Sequence, residues 1–481
     1  MRILFVTSEI HPLIKTGGLA DVSASLPAAL QALGQDVRVL LPGYTQVLGA
    51  LKGSKTLATF RPFDGGDEVR LLAAKMPGTG VPLYVLDAPQ YFCRVGGPYH
   101  YRLGGDWPDN PMRFGLLSKV AALLGSASSP VDWQAELVHC NDWQTGLAPV
   151  FLHLEGGAHA KSVMAIHNIA FQGNFDRDWL QHLQLPQSLF NMHGVEFHGH
   201  LSFLKAGLQY ADRIVTVSPT YAHEIQATEM GYGMQGLLTA RRAVVSGILN
   251  GIDDKEWDPA RDPHLAAHYD ARDLSGKAEV KRALQQRMGL EVDAQAPLLG
   301  VVSRLTYQKG LDLLLECLPS LMDGGAQLVV LGSGEPEFER RYQLLAQRHP
   351  GRVAVSTRFD EPLSHQIMAG ADIFLMPSRF EPCGLNQMYG MRYGTPPVVR
   401  RTGGLADSVT NASLEGGTGF VFDEPGVAAL QQTIRWAIEC YRDTPTFRRI
   451  QLNGMNRDVS WRHSAQLYLE LYLAASGTQH Q

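Results

Sequence analysis

The stretch PLLGVVSRLTYQKGLDLLLECLPSLM, residues Pro297–Met322, decides the fold. Its apolar run, Leu298 to Val302, is short. A polar loop with Arg304 and Lys309 follows, and then a helical pattern. Short, near-continuous apolar runs between longer helical patterns indicate buried parallel strands in βαβ units. This run opens a series: QLVVLGSG, RVAVSTRF, DIFLMPS and PPVVRRTG come after it. An earlier series precedes it: RILFVTS at the start, DVRVLLP at 36–42, PLYVLDA at 82–88, ELVHCND at 136–142, KSVMAIHN at 161–168, RIVTVSP at 213–219 and AVVSGILNGID at 243–253. A polar stretch, 253–296, separates the two. With 481 residues, one core would be oversized. The expectation is an α/β protein of two Rossmann-like, doubly wound parallel-sheet domains, 1–248 and 249–457, with a closing helix at 458–481. In that helix Leu467, Tyr468, Leu471 and Tyr472 recur on one face, as in a segment that docks back on the first domain.

Composition narrows the function. The chain is 45% apolar and 19% charged, an ordinary globular balance. With 42 basic and 47 acidic residues and a net charge of −5, no positive field invites nucleic acid. Cys93, Cys140, Cys317, Cys383 and Cys440 are scattered and form no CxxC pair, which argues against a disulfide framework and a structural zinc site. MRILFVTSE is too short in apolar residues for a signal peptide, and no run approaches the roughly 20 residues of a membrane span. A soluble, cytoplasmic protein without a membrane partner is expected.

Ligands of open parallel sheets bind beyond the carboxyl ends of the strands. The unusual residues cluster there: Lys15-Thr16-Gly17-Gly18, Asn141-Asp142-Trp143, His167-Asn168, Asn250-Gly251, Arg304, Lys309 and Glu381. Dinucleotide binding is disfavoured, because LGSGEPE at 331–337 puts Glu337 where a third glycine belongs and the first strand lacks the fingerprint. No GxxxxGK[ST] and no GxSxG exist. Arg304 and Lys309, five apart in a strand-to-helix loop, suit a diphosphate clamp; a solvated basic loop has the same pattern. In SRFEPCGL, 378–385, Glu381 stands beside the backbone N–H groups of Gly384 and Leu385. Cys383 reads as a packed or ligand-touching thiol. Lys15-Thr16-Gly17-Gly18-Leu19-Ala20-Asp21 returns as Arg401-Thr402-Gly403-Gly404-Leu405-Ala406-Asp407. Two anion loops at helix starts and two plain helix-start turns both fit. His167 ends a strand, where a histidine is structural or catalytic; His198 and His200 alternate without making a metal site. Tyr91, Phe92, Tyr99, Tyr101 and Trp107, with Asp106, Asp109 and Asn110, suit sugar stacking or a loop packed on its own domain.

Taken together, KTGGLADV, HCNDWQTGL, HNIAFQG, VSPTYAHEI, LNGID, SRLTYQKGLD, SRFEPCGLNQ and RRTGGLADSV resemble, in order, the bacterial glycogen synthases and plant starch synthases that use ADP-glucose. The resemblance covers essentially the whole chain. It implies the GT-B fold, two domains facing a cleft, the first on the glucan side with the KTGGL loop and the second on the nucleotide-sugar side. It implies transfer of glucose from ADP-glucose to the non-reducing 4-OH of an α-1,4-glucan with retention, without a metal or other cofactor. Lys15, Gly17 and Gly18 would contact the donor phosphates, and Arg304 and Lys309 would carry the departing diphosphate, beside Cys383, Gly384 and Leu385. Glu381 would lie at the transferred glucose and His167 would face it. Asn250 would hold donor hydroxyls. Asp21, Asp142, Trp143, Asn168, Tyr99 and Trp107 fall on the sugar and acceptor side, and Phe359 would stack on adenine. Two positions depart from the wider pattern. Tyr389 stands where related transferases carry a second carboxylate for ribose, and Gln144 stands where many members have histidine. A transferase making a small product, such as sucrose or a trehalose precursor, and a non-catalytic glucan-binding paralogue are the competing readings.

Overall fold

The computed structural model describes residues 1–101, 104–358 and 360–477. The chain divides into two compact units: Met1–Asn250 together with the segment from Trp461 onward, and Gly251–Ser460.

In the first unit nine strands form one sheet, in the spatial order Val245–Gly247, Arg213–Thr216, Lys161–Ile166, Leu137–Asn141, Arg2–Val6, Asp36–Pro42, Pro82–Asp87, Val69–Lys75 and Lys55–Phe60. The first seven are mutually parallel. Their centre is dry: Ile3, Leu4, Phe5 and Val6 are each 0% exposed. Val69–Lys75 runs antiparallel to them, Lys55–Phe60 pairs antiparallel with Val69–Lys75, and Lys55–Phe60 is largely solvent-facing. This hairpin was not among the runs read from the sequence, because a half-wet edge strand has no continuous apolar run. Strand order reverses between Arg2–Val6 and Leu137–Asn141. The helix Trp461–Ala475 packs on the helix Gly18–Ala32 and on the strand Lys161–Ile166.

In the second unit six parallel strands run in the order Val353–Ser356, Gln327–Leu331, Leu298–Val302, Ile373–Met376, Pro397–Arg400 and Phe420–Phe422. The helix Leu311–Asp323 buries Leu311, Leu314, Leu315, Leu318 and Leu321 on this sheet, the spacing of one helical face. Here order reverses between Leu298–Val302 and Ile373–Met376. Each unit therefore has one topological switch point, where open α/β sheets place their ligands. Lys15, Gly17, Gly18 and Asp142 follow the flanking strands in the first unit, and Arg304, Lys309 and Glu381 follow them in the second, whereas His167 follows Lys161–Ile166 and Asn250 follows Val245–Gly247.

Candidate active site

In the first unit, the strand Arg2–Val6 leads into Glu9 and then the KTGGL loop. Glu9 is buried, 3% exposed. Its carboxylate accepts from Thr16 N at 2.5 Å, from Thr16 Oγ1 at 2.8 Å, from Gly17 N at 3.2 Å and from Tyr99 Oη at 2.8 Å. Glu9 thus shapes the loop from beneath, and sequence reasoning passed over it. Lys15 pairs with Asp21 at 2.7 Å on the outer face. Gly17 and Gly18 are exposed, and a Cβ at either would meet nothing within 4 Å. Neither packing nor backbone conformation demands glycine there, so the open space is what glycine preserves.

The strand Leu137–Asn141 delivers Asn141, Asp142 and Trp143. Asp142 has φ 53° and ψ −172°, a region that costs a non-glycine residue of order 1–3 kcal/mol. Its Oδ1 accepts from the amides of His167, 2.7 Å, and Asn168, 3.4 Å. Asn141 Nδ2 donates to Val6 O at 2.8 Å, and its Oδ1 lies 2.8 Å from His167 Nε2. Trp143 is packed among Phe114, Phe175, Phe203 and Tyr99. The Trp107 indole donates to Gly97 O at 3.1 Å and lies beneath Arg94. Tyr99 and Trp107 therefore help order their own loop. Asn250 Oδ1 and Gln144 Oε1 are buried without a hydrogen-bond partner among the described residues.

Burial pushes the Asp142 carboxyl up to about 7, against the pull of the two amides it accepts. Burial also lowers His167 to about 4 and His139 to about 3. The signs oppose. Between about pH 4 and 6.5 the unfolded chain holds more protons on the histidines, so stability rises with pH. From the ordinary carboxylate value up to about 7 the folded chain holds the Asp142 proton, so that contribution falls as pH rises. Asp142→Asn is expected to steepen the rise between about pH 4 and 6.5 and to remove the decline up to about pH 7. Urea midpoints of the first unit's unfolding transition across this range test it; an unchanged profile would refute it.

In the second unit, Arg304 is exposed. Lys309 Nζ pairs with Glu381 Oε2 at 2.5 Å, with side-chain exposures of 16% and 8%. Ser378 Oγ donates to the same oxygen at 3.0 Å. The backbone of the Glu381 loop is tied down on three sides. Arg379 forms a two-pronged pair with Asp312, at 2.7 and 2.6 Å, and stacks over Tyr307. Gln387 Nε2 donates to Cys383 O at 3.1 Å and Gly384 O at 3.0 Å. In a trans peptide the next N–H points opposite the carbonyl, so Gln387 turns the Gly384 and Leu385 amides the other way. Gly384 has φ +71°, which favours glycine.

The third tie is the second copy of the repeat. A Cβ on Gly403 would stand 2.0 Å from Glu381 O, and one on Gly404 would stand 2.1 Å from Cys383 O. Gly404 N donates to Glu381 O at 3.1 Å. The two copies therefore differ: the first keeps space open, while the second packs against the catalytic candidate's backbone. Gly404→Ala is expected to destabilise the fold by about 1–3 kcal/mol. Gly18→Ala is expected to leave the melting temperature unchanged or raise it; if the loop meets the donor phosphates, as the resemblance implies, it is also expected to weaken ADP binding about tenfold. Thermal unfolding and ADP titration of both variants check this contrast.

Tyr389 is buried, its ring stacked at 3.8 Å on Trp257, which stacks at 3.8 Å on His365. Nothing in the sequence singled out Trp257. Phe359 lies outside the described residues.

Two parallel-sheet units of this kind, each with polar residues at its switch point, are the architecture of the GT-B class of glycosyltransferases. Residues 2–240 match the Starch synthase catalytic domain family and residues 285–454 match Glycosyl transferases group 1. The chain is 53% identical over 482 residues to a Glycogen synthase of Nitrosospira multiformis, covering 98% of this chain and 97% of that one. It is also 53% identical over 486 residues to a Glycogen synthase of Dechloromonas aromatica, covering 100% and 99%. The catalytic domain of Starch Synthase IV from Arabidopsis thaliana, solved bound to ADP and acarbose, superposes with a TM-score of 0.88 at 32% identity, covering 99% of both chains. The chain belongs to the glycogen synthase and starch synthase family.

Proposed function

We propose that the protein is a retaining glucosyltransferase that moves glucose from ADP-glucose to the non-reducing 4-OH of an α-1,4-glucan, elongating glycogen. The observation that carries this reading is the Glu381–Lys309 pair beside the switch point, with the Gly384 and Leu385 amides directed away from Gln387, which holds the carbonyls of Cys383 and Gly384. Transfer needs positive charge tolerated at C1 and negative charge taken up on the leaving diphosphate. The loop after Ile373–Met376 supplies a carboxylate for the first and N–H groups for the second, and the loop after Leu298–Val302 supplies a cation for the second. Family membership supplies the donor and acceptor classes.

In this reading the second unit carries the donor. Lys309 and Arg304 bear the diphosphate with Cys383, Gly384 and Leu385 around it. Phe359 is assigned to the adenine, and Asn250, which belongs to the first unit, is assigned to a donor hydroxyl. The first unit carries the acceptor side. Lys15, Gly17 and Gly18 meet donor phosphate, His167 faces the reacting sugar, and Asp21, Asp142, Trp143, Asn168, Tyr99 and Trp107 frame the glucan. No metal or cofactor enters the reaction. We place the protein in the cytoplasm, supported by five free cysteines and by the lack, among the described residues, of any helix long and apolar enough to cross a membrane.

Incubation with ADP-glucose or UDP-glucose and a maltooligosaccharide, scoring nucleotide release and chain growth, tests the reading. Growth with ADP-glucose preferred is expected. Transfer only to a small acceptor, or nucleotide release without growth, would overturn it.

A further inference from the structure

The strand residue next to Asp142, Asn141, belongs to a buried chain of polar groups that begins on the C-terminal helix. Tyr472 Oη lies 2.9 Å from His139 Nδ1. His139 Nε2 lies 3.3 Å from Asn141 Oδ1, and His167 Nε2 lies 2.8 Å from the same oxygen. Tyr472 and Asn141 are 0% exposed and His139 is 1% exposed. The His139 ring is also stacked on Phe5, at 4.7 Å and 7°.

The direction of every hydrogen bond in this chain is fixed from one end. Asn141 Nδ2 faces the Val6 carbonyl at 2.8 Å, and only the amide NH2 can donate to it. Asn141 Oδ1 therefore faces both imidazoles and can only accept. Both rings must carry their proton on Nε2. The other nitrogen of His139 is then a lone pair, met by the Tyr472 hydroxyl. A flipped amide would set two acceptors against each other at Val6 in a buried place, an arrangement that costs the desolvation of both. Burial keeps both imidazoles neutral, so each has one defined proton.

We propose that Tyr472, His139 and Asn141 are positioning residues that hold His167 in its Nε2–H tautomer, so that His167 presents the Nδ1 lone pair, an acceptor, to a hydroxyl of the reacting sugar. The placement of His167 at that sugar rests on the function proposed above. The tautomer stands on the hydrogen-bond chain alone. Without Tyr472 the His139 Nδ1 loses its donor, and His139 can move its proton to that atom. Its Nε2 lone pair then opposes Asn141 Oδ1, and that repulsion works against the Val6 carbonyl's hold on the amide that orients His167.

The test uses the full chain with ring-15N histidine. At neutral pH, nitrogen shifts are expected to show Nε2–H on both His139 and His167 in the parent protein. An Nδ1–H on either would overturn the proposal, whatever any variant does. Tyr472→Phe is expected to give mixed His167 tautomers and to lower kcat about tenfold with KM for ADP-glucose changed less than about threefold. Tyr472→Phe with a pure Nε2–H His167 and parental kcat would also overturn it. Parent tautomers as stated and lost in Tyr472→Phe, together with parental turnover in His167→Ala, would uphold the positioning chain and remove His167 from the sugar instead.

Discussion

Glu381→Gln is expected to lower turnover by at least about a hundredfold while changing ADP-glucose affinity by no more than about twofold. The residue follows the strand Ile373–Met376 at the switch point, and its side chain is nearly enclosed. Pro382 keeps its backbone extended, and the Gly404 amide holds its carbonyl. A carboxylate so fixed needs little reorganisation as positive charge grows at C1, and it stabilises that charge more than the neutral sugar. Glutamine keeps the shape and the hydrogen bond from Ser378 but removes the charge. Were Glu381 only an anchor for sugar hydroxyls, the amide would serve nearly as well. Turnover within a few-fold of the parent, by ADP release and chain growth, would therefore exclude the charge from the mechanism.

Lys309→Ala is expected to cost about 3 kcal/mol of activation, roughly a hundredfold in rate, with little effect on glucan binding. The ammonium lies where the strand Leu298–Val302 ends, against Glu381. In the proposed reaction it would meet negative charge that is fully developed only as the diphosphate departs. Because the two groups touch, their effects should not add. Glu381→Gln combined with Lys309→Ala should cost less than the sum of the single changes. Strict additivity, or normal turnover in Lys309→Gln, would dissociate the pair from the chemistry.

The strands at both switch points were legible because parallel strands buried on two faces must be apolar throughout, as RILFV and LLGVV are. Lys309 and Glu381, which the structure brings together, were legible because they interrupt that pattern where it ends, as does the exposed Arg304. The supporting residues were not. Gln387 acts on backbone carbonyls three and four residues away, and nothing distinguishes it from an ordinary helix surface residue in one dimension. Glu9 was hidden in the segment that argued against a signal peptide. Tyr472 was read correctly as part of a buried helical face, but its hydroxyl partner lies 333 residues away. The repeated TGGL shows the limit most plainly. Its glycines have open space in one copy and carbonyl oxygens about 2 Å from their Cβ positions in the other, and that difference belongs to the neighbours.

The return of Trp461–Ala475 to the first unit also sets an order of events on the ribosome. At about 5–20 residues per second, the 225 residues from 251 to 475 take roughly 10–45 s to make. For that interval the nascent first unit lacks the helix that, in the complete chain, packs on Gly18–Ala32 and Lys161–Ile166. The faces that will receive Tyr468 and Tyr472 stay open to chaperones and to other chains until the second unit has been synthesised. A nascent chain stalled anywhere in the second unit is therefore a candidate client for holdases through its completed-looking first half.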